Sequence, residues 1–186
     1  MGCMDVGFVV DVSWSVGNEY PEEQAFVKQF ARSMGVSKNG AHASVVQFSN
    51  QAWLEIPFMD DTTTFTTAVD ALNLNGGTTR IDKGLDVAFT EMFQTANGMR
   101  EECSKLVVVM TDGENNEPLA PMDAAKRFHD AGIRVVVVGI GQNVDTDELL
   151  SLVEVDSDLH QAQDFDELIS DSFVDSLVQC EELSRK

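Results

Sequence analysis

Basic residues are scarce in this chain. Twelve Lys and Arg stand against 32 Asp and Glu in 186 residues, a formal charge of -20. That deficit excludes a general nucleic-acid binder, whose phosphate contacts need a basic face. It also argues against docking on anionic lipid through a basic patch. Long apolar runs are missing: Leu106–Met110 and Ile133–Ile140 have strand length, far below the roughly 20 residues that span a bilayer. Repeats, low-complexity tracts, linkers and Asn-x-Ser/Thr sequons are absent as well. What is present is core-forming material, 43% hydrophobic and 8% aromatic, enough to offset the conformational entropy of one compact domain. Residues 1–186 read as a single acidic α/β domain.

Cysteine is also rare, with three. Cys3 lies just before the first strand-like run and Cys180 just after the last helical one. Termini of wound α/β domains often lie close together. A Cys3–Cys180 bridge is therefore expected, closing a loop worth roughly 4–5 kcal/mol in the chain-entropy model. Three unrelated thiols in a reducing compartment form the competing expectation, and Cys103 reads as a free thiol without a partner. Met1–Gly2–Cys3 misses the myristoylation pattern, which needs Ser or Thr where Val6 stands. Nothing resembling a signal peptide precedes Asp5, so the chain reads as cytosolic or as an excised piece of a longer protein. The terminal cysteine pair favours the second, extracellular or at the cell surface.

Strand-like and helix-like segments alternate. Val6–Val10, Lys105–Met110 and Arg134–Gly139 are nearly continuous apolar runs, the mark of strands buried on both faces. Ala43–Phe48 and Ala52–Phe58 are separated by three residues, too few for a crossover, and form an antiparallel hairpin. Helical spacing predicts helices over Pro21–Met34, Phe65–Leu74, Ile81–Ala96, Pro121–Ala131 and Asp147–Val153, and a closing helix over Phe165–Val178. Phe165, Leu168, Ile169, Phe173 and Leu177 form the apolar face of that last helix. Leu159–Ala162 is a weak edge strand. The order implies a three-layer, Rossmann-like α/β fold: a mostly parallel sheet with one antiparallel strand and helices on both faces. Ligands in such folds bind beyond the carboxyl ends of the strands, where the strand order reverses.

Three polar loops follow buried strands or open a helix. They are Asp11-Val12-Ser13-Trp14-Ser15, Gly76-Gly77-Thr78-Thr79-Arg80 and Thr111-Asp112-Gly113-Glu114. Alternation puts Asp11, Ser13 and Ser15 on one side of an extended loop. Carboxylates and hydroxyls together make an all-oxygen set suited to a hard divalent cation, Mg²⁺ or Mn²⁺ and less selectively Ca²⁺. There are only two carboxylates; if either binds through water, the charge of the ion is under-neutralised and it attracts an external carboxylate. Each motif alone is common as a helix cap or a turn; all three in order carry the reading.

Catalytic signatures are lacking. Asp-x-Ser-x-Ser has no second Asp two residues after the first, as a haloacid-type phosphatase requires. No Gly-x-Ser-x-Gly elbow, P-loop or third dinucleotide glycine after Gly139-x-Gly141 occurs. His42, His129 and His160 are scattered, and Asp145, Asp147, Asp156 and Asp158 lack EF-hand spacing. The chain is not expected to be an enzyme.

The constellation resembles the metal-ion-dependent adhesion site of von Willebrand factor type A domains, also called integrin I domains. The likeness runs through Asp5–Ser15, Gly76–Leu85, Lys105–Glu114 and the Val-Val-Val-Gly-Ile-Gly strand in Arg134–Gly141. It implies a metal site of Asp11, Ser13, Ser15, Thr79 and Asp112, with Thr78 the alternative threonine. It further implies that the serines bind the ion directly, that the threonine joins when ligand binds, and that the aspartates act largely through water. Ile81 stands where the family often has a further threonine, and Trp14 where a small residue is usual. Trp14, Thr78, Arg80 and Glu114 are the expected ligand-binding rim, although Trp14 packed on a neighbouring loop is an equal reading. In the integrin-type members the closing helix shifts to switch affinity, and a Cys3–Cys180 bridge would tether it. The implied role is an adhesion module for a protein ligand presenting Asp or Glu, with collagen or another matrix or surface protein as the ligand class. An intracellular type A scaffold is the alternative. Glu114, Glu117 and Asp82 near the rim disfavour a purely acidic partner and suit a carboxylate set among basic residues.

Overall fold

The computed structural model describes residues 3–116 and 121–175. Its centre is strand β1 (Met4–Asp11), buried at every position. Strand β2 (Ala41–Phe48) pairs parallel with one side of it and β4 (Ser104–Thr111) parallel with the other. Strand β3 (Ala52–Met59) folds back antiparallel on β2; β5 (Arg134–Ile140) and the edge strand β6 (Leu159–Ala162) extend the parallel side. The order is β3-β2-β1-β4-β5-β6. The mostly parallel sheet with its single antiparallel strand is the architecture expected from the sequence.

Alternation along the strands builds two cores. Val6, Phe8 and Val10, with Leu106, Val108 and Met110, pack against helix α1 (Tyr20–Ser33), helix α2 (Thr62–Asp70) and helix α6 (Phe165–Leu168). Val9, Val107 and Val109 face the opposite layer: α3 (Ile81–Val87), α4 (Met122–Asp130) and α5 (Thr146–Leu150). Crossovers leave β1 and β4 in opposite directions, so the crevice between their carboxyl ends is the point where strand order reverses. Asp11 ends β1, and Thr111 ends β4 just before Asp112.

Several boundaries depart from expectation for identifiable reasons. Helix α2 starts at Thr62 because Asp61 caps it, accepting from the Thr64 amide at 2.7 Å. The run expected as one helix over residues 81–96 is α3 followed by a π-helical segment, Ala88–Met92, and a short 3-10 turn, Thr95–Asn97. Met92 of the π segment reaches the sheet at Gly7, where a Cβ would meet its terminal carbon at 2.1 Å. The closing helix is broken. It stops after Leu168, and Ser170 restarts a second helical stretch over residues 171–175 by accepting from the Phe173 amide at 3.3 Å. Leu177 and the rest of the expected helix lie outside the described residues.

Cys3 is bonded to Cys103, with 5.0 Å between their Cα atoms. This corrects both the Cys3–Cys180 bridge and the free Cys103 thiol. The reason is register: β1 and β4 are neighbours that start in step, Met4 opposite Ser104, so the residues just before them meet. Cys180 lies outside the described residues. Beside this bridge, Arg100 clamps the buried Asp5: its Nε donates to Oδ1 at 2.8 Å, and its backbone amide donates to Oδ2 at 2.6 Å. Among the described residues no helix is long and apolar enough to cross a membrane.

Candidate functional site

A row of oxygens crosses the three loops at the top of the sheet. Thr79 Oγ1 donates to Ser13 Oγ at 3.3 Å, Ser13 and Ser15 hydroxyls lie 2.9 Å apart, and Ser15 Oγ donates to Asp112 Oδ1 at 2.7 Å. Asp11 lies beneath, fully buried. Its Oδ1 accepts from the Ser13 amide at 2.9 Å and its Oδ2 from the Thr111 hydroxyl at 2.7 Å. Asp11 therefore shapes its own loop while Thr111 ties it to β4. The structure brings Asp11, Ser13, Ser15, Thr79 and Asp112 together.

Local sequence explains the loop shapes. The Gly76-Gly77 turn takes φ of 68° and 113°, values that side chains disfavour, which lets the chain reverse beside Trp14. The Trp14 amide donates to the Gly77 carbonyl and the Gly76 amide to the Val12 carbonyl, stitching the first two loops together. Two asparagines that the sequence reading passed over hold the threonine. Asn116 Oδ1 accepts from the Thr79 amide at 2.7 Å, and the Asn116 amide donates to the Thr79 carbonyl at 2.8 Å. Asn115 Oδ1 accepts from the Ile81 amide at 2.8 Å, filling an orphan donor at the start of α3 that Arg80 does not cap. The Asn-Asn pair following Thr-Asp-Gly-Glu was the available signal, since amide side chains satisfy loop backbones. Thr111 could have been found too, as the hydroxyl preceding Asp112.

An open cleft of about 420 Å³ lies over the row. Ser13, Ser15, Thr78, Thr79, Asp112 and Glu114 line it, together with Asn116 and Asn143. Thr79 is buried in the oxygen row and Thr78 is exposed on the wall of the cleft. Arg80 folds back on Asp82 through two hydrogen bonds of 2.7 and 2.8 Å and does not line the cleft. Trp14 does not line it either. Its indole lies against Gly76, where a Cβ would come within 2.6 Å, and the side chain stays 73% exposed. Trp14 is thus both packed on a neighbouring loop and open to a ligand. Glu117 lies outside the described residues.

The electrostatics suit a cation. Burial pushes the Asp11 carboxyl up to about 6, with bonds from Ser13 and Thr111 opposing the rise. Burial also raises Asp112 above the usual carboxylate range. Such carboxylates in a low-dielectric crevice gain most from a positive partner. Among the described residues no three His, Cys, Asp or Glu side chains gather closely enough to hold an ion. A metal here would therefore depend on the hydroxyls, and three hydroxyls with two carboxylates fit a hard divalent ion. The other candidates stand elsewhere. His42 starts β2 at the far end of the sheet and His129 lies on α4. On β6, burial lowers the His160 pKa. Asp145 caps α5, and Asp158 pairs with Arg134.

Comparison with known proteins identifies the family. The family model described as von Willebrand factor type A domain matches residues 5–173. Collagen alpha-1(XX) chain of Mus musculus is 29% identical over 88% of this chain, and matrilin-1 of Gallus gallus is 32% identical over 78%. The matched stretches span 13% and 30% of those relatives' own length, so this chain corresponds to a small part of each. Among solved structures, proximal thread matrix protein 1 from the mussel byssus, with a zinc-occupied metal-ion-dependent adhesion site motif, superposes with a TM-score of 0.84 at 26% identity. That match covers 96% of this chain and 47% of that one. The chain belongs to the von Willebrand factor type A domain family.

Proposed function

We propose that this chain is a non-catalytic adhesion module, one domain over residues 1–186, that binds a protein ligand through a divalent cation at the top of the sheet. The single observation that carries the reading is the oxygen row from Thr79 through Ser13 and Ser15 to Asp112, opening into the cleft. Ser13, Ser15 and Thr79 would hold the ion by their hydroxyls, with Asp11 and Asp112 contributing charge largely through water. Mg²⁺ fits the hard oxygen set, with Mn²⁺ or Ca²⁺ as substitutes. When bound, the ion supplies an open coordination position for a ligand Asp or Glu.

The relatives support a matrix setting. Collagen or another matrix or cell-surface protein is the proposed partner class, with no nucleic acid and no insertion into membrane. The Cys3–Cys103 disulfide supports an extracellular or cell-surface location over an intracellular scaffold, because such bonds persist in oxidising compartments. At a formal charge of -20, long-range repulsion slows any acidic partner. Attraction must act within the Debye length of about 8–10 Å, which favours a carboxylate set among basic residues. Thr78 and Glu114 on the cleft wall, with the exposed Trp14 beside them, form the proposed rim; Arg80, expected there as well, is held back on Asp82.

The test is a pull-down from matrix extracts in Mg²⁺ and in EDTA, with wild type and Asp112→Ala. Capture in Mg²⁺ by wild type alone, with the variant folded by circular dichroism, is expected. Equal capture in EDTA sinks the metal-bridge reading.

A further inference from the structure

Five acids are buried among the described residues, and four have partners. Asp5 is held by Arg100, Asp158 by Arg134, Asp11 by Ser13 and Thr111, and Asp112 by Ser15. The fifth is Glu23. It is fully buried, and neither carboxylate oxygen has a hydrogen-bond partner among the described residues. It sits one turn into α1, which a 3-10 turn, Gly17–Glu19, joins to the Asp11–Ser15 loop, on the face that also buries Tyr20, Phe26, Val27 and Phe30. Helical spacing calls for an apolar side chain at that place.

Burying an unpaired carboxyl destabilises a fold, so its presence on a packed face needs a compensating gain. Tyr20, on the same face, is engaged by Gln47 instead, whose Nε2 donates to the Tyr20 hydroxyl at 2.5 Å. Gln47 stands opposite Val10 in the β1–β2 register, so this turn of α1 packs at the end of β1 that carries Asp11; the carboxylates whose repulsion adds to burial in raising Glu23 are Asp11 and Asp112. We infer that Glu23, buried near the start of α1, is a third, non-ligating carboxylate of the cation site that strengthens the hold on a bound divalent cation through space. This rests on the cation-site reading above.

Without a cation, burial first, then repulsion from Asp11 and Asp112, drives Glu23 well above the ordinary carboxylate range. A divalent ion reverses the sign of that field, and a buried charge feels it with little screening by salt. Glu23 is thus a positioning residue that touches no ligand. It adds negative potential to a site that otherwise has two carboxylates for a doubly charged ion. The arrangement trades stability of the metal-free protein for cation affinity.

Glu23→Gln, which keeps the shape, and Glu23→Leu, which suits the apolar face, test this with Mg²⁺ and Mn²⁺ alone, by calorimetry and by thermal unfolding in EDTA. Both variants should bind cation about 10–100-fold more weakly, the usual cost of losing an outer partner of a metal site. Glu23→Leu should also melt a few degrees higher than wild type in EDTA, as expected for a gain of this kind in a domain of this size. A purely structural Glu23 would change the melting temperature and leave the cation affinity alone. Wild-type affinity in both variants overturns the inference and spares the site reading. Failure of both variants to fold in EDTA also overturns it, by making Glu23 structural. If wild type itself shows no binding or stabilisation by either ion, the site reading fails and this inference falls with it.

Discussion

Asn116 grips Thr79 from both sides, its side-chain oxygen accepting from the Thr79 amide and its amide donating to the Thr79 carbonyl. A threonine on a loop after two glycines would otherwise sample many positions, and each would take its hydroxyl off the serine row. The clamp fixes the Thr79 backbone, so the 3.3 Å contact from Thr79 Oγ1 to Ser13 Oγ depends on a residue two loops away. Asn116→Ala removes the side-chain half of the clamp and keeps the backbone half. Mg²⁺ affinity should fall about tenfold, as for other outer partners of metal sites, with a loss of stability near 1 kcal/mol from the missing hydrogen bond. Calorimetry with Mg²⁺ and a denaturant titration in EDTA measure the two effects separately.

The Cys3–Cys103 bridge closes a loop with a sequence separation of 100. In the chain-entropy model that is worth about 4.7 kcal/mol, and less where neighbouring strands stay associated after reduction. Cys3→Ser with Cys103→Ser should therefore cost about 2–5 kcal/mol in a denaturant titration. Peptide mapping without reductant should recover the Cys3 and Cys103 peptides joined. A Cys3 peptide joined to Cys180 would contradict the structure.

Arg100 is the sole described partner of the buried Asp5 carboxylate, through its guanidinium and its own backbone amide. Removing the guanidinium strands a buried charge, a change that typically costs about 3–5 kcal/mol. Arg100→Ala should lose that amount, and Asp5→Asn added to it should recover a substantial part. The cation affinity should stay at the wild-type value, because this pair sits at the opposite end of β1 from the site.

Much of this molecule was readable in one dimension. Runs such as Val107–Val109 are buried on both faces and have no competing assignment, so strands and hairpin emerged with small boundary shifts. That Asp11, Ser13 and Ser15 would share one side of their loop followed from alternation, and Asp112 stood out as the acid just after a buried strand; the structure brings the four together. What the sequence hid depends on who lies next to whom. The Cys3–Cys103 bond needs the β1–β4 register, and two cysteines a hundred residues apart do not announce it. Ser170 looks like any polar residue on a helix face until the helix breaks there. Glu23 reads as an ordinary acid in the first turn of a helix, and its total burial is visible only after packing.

Trp14 and Gly76 are mutually adjusted. The indole covers the space that a Cβ at residue 76 would need, and the backbone there has a φ of 68°. Gly76→Ala should cost about 1–3 kcal/mol, from strain at a left-handed position together with the clash. Trp14→Ala in the same chain removes the clash and leaves the strain, so the double variant should regain part of the loss. A double-mutant cycle in denaturant should give a coupling of about 1 kcal/mol, within the range for residues in contact. Strict additivity would mean that the indole does not rest on Gly76.

The two adjacent threonines divide between the oxygen row and the cleft wall. Thr79 is buried with its hydroxyl 3.3 Å from Ser13, whereas Thr78 is exposed on the wall of the cleft. Thr79→Ala leaves the serines and aspartates in place and removes one oxygen from the row. Cation-dependent ligand capture should drop at least tenfold, in line with losing a group that orders the site, while the melting temperature in EDTA changes little. Thr79→Ser, which restores the hydroxyl, should recover most of the capture. Thr78→Ala should keep cation affinity and alter only the ligand side, changing capture by less than the Thr79 variant. If Thr78→Ala abolishes Mg²⁺ binding and Thr79→Ala does not, the assignment reverses: Thr78 joins the row, and Thr79 acts only as the anchor held by Asn116.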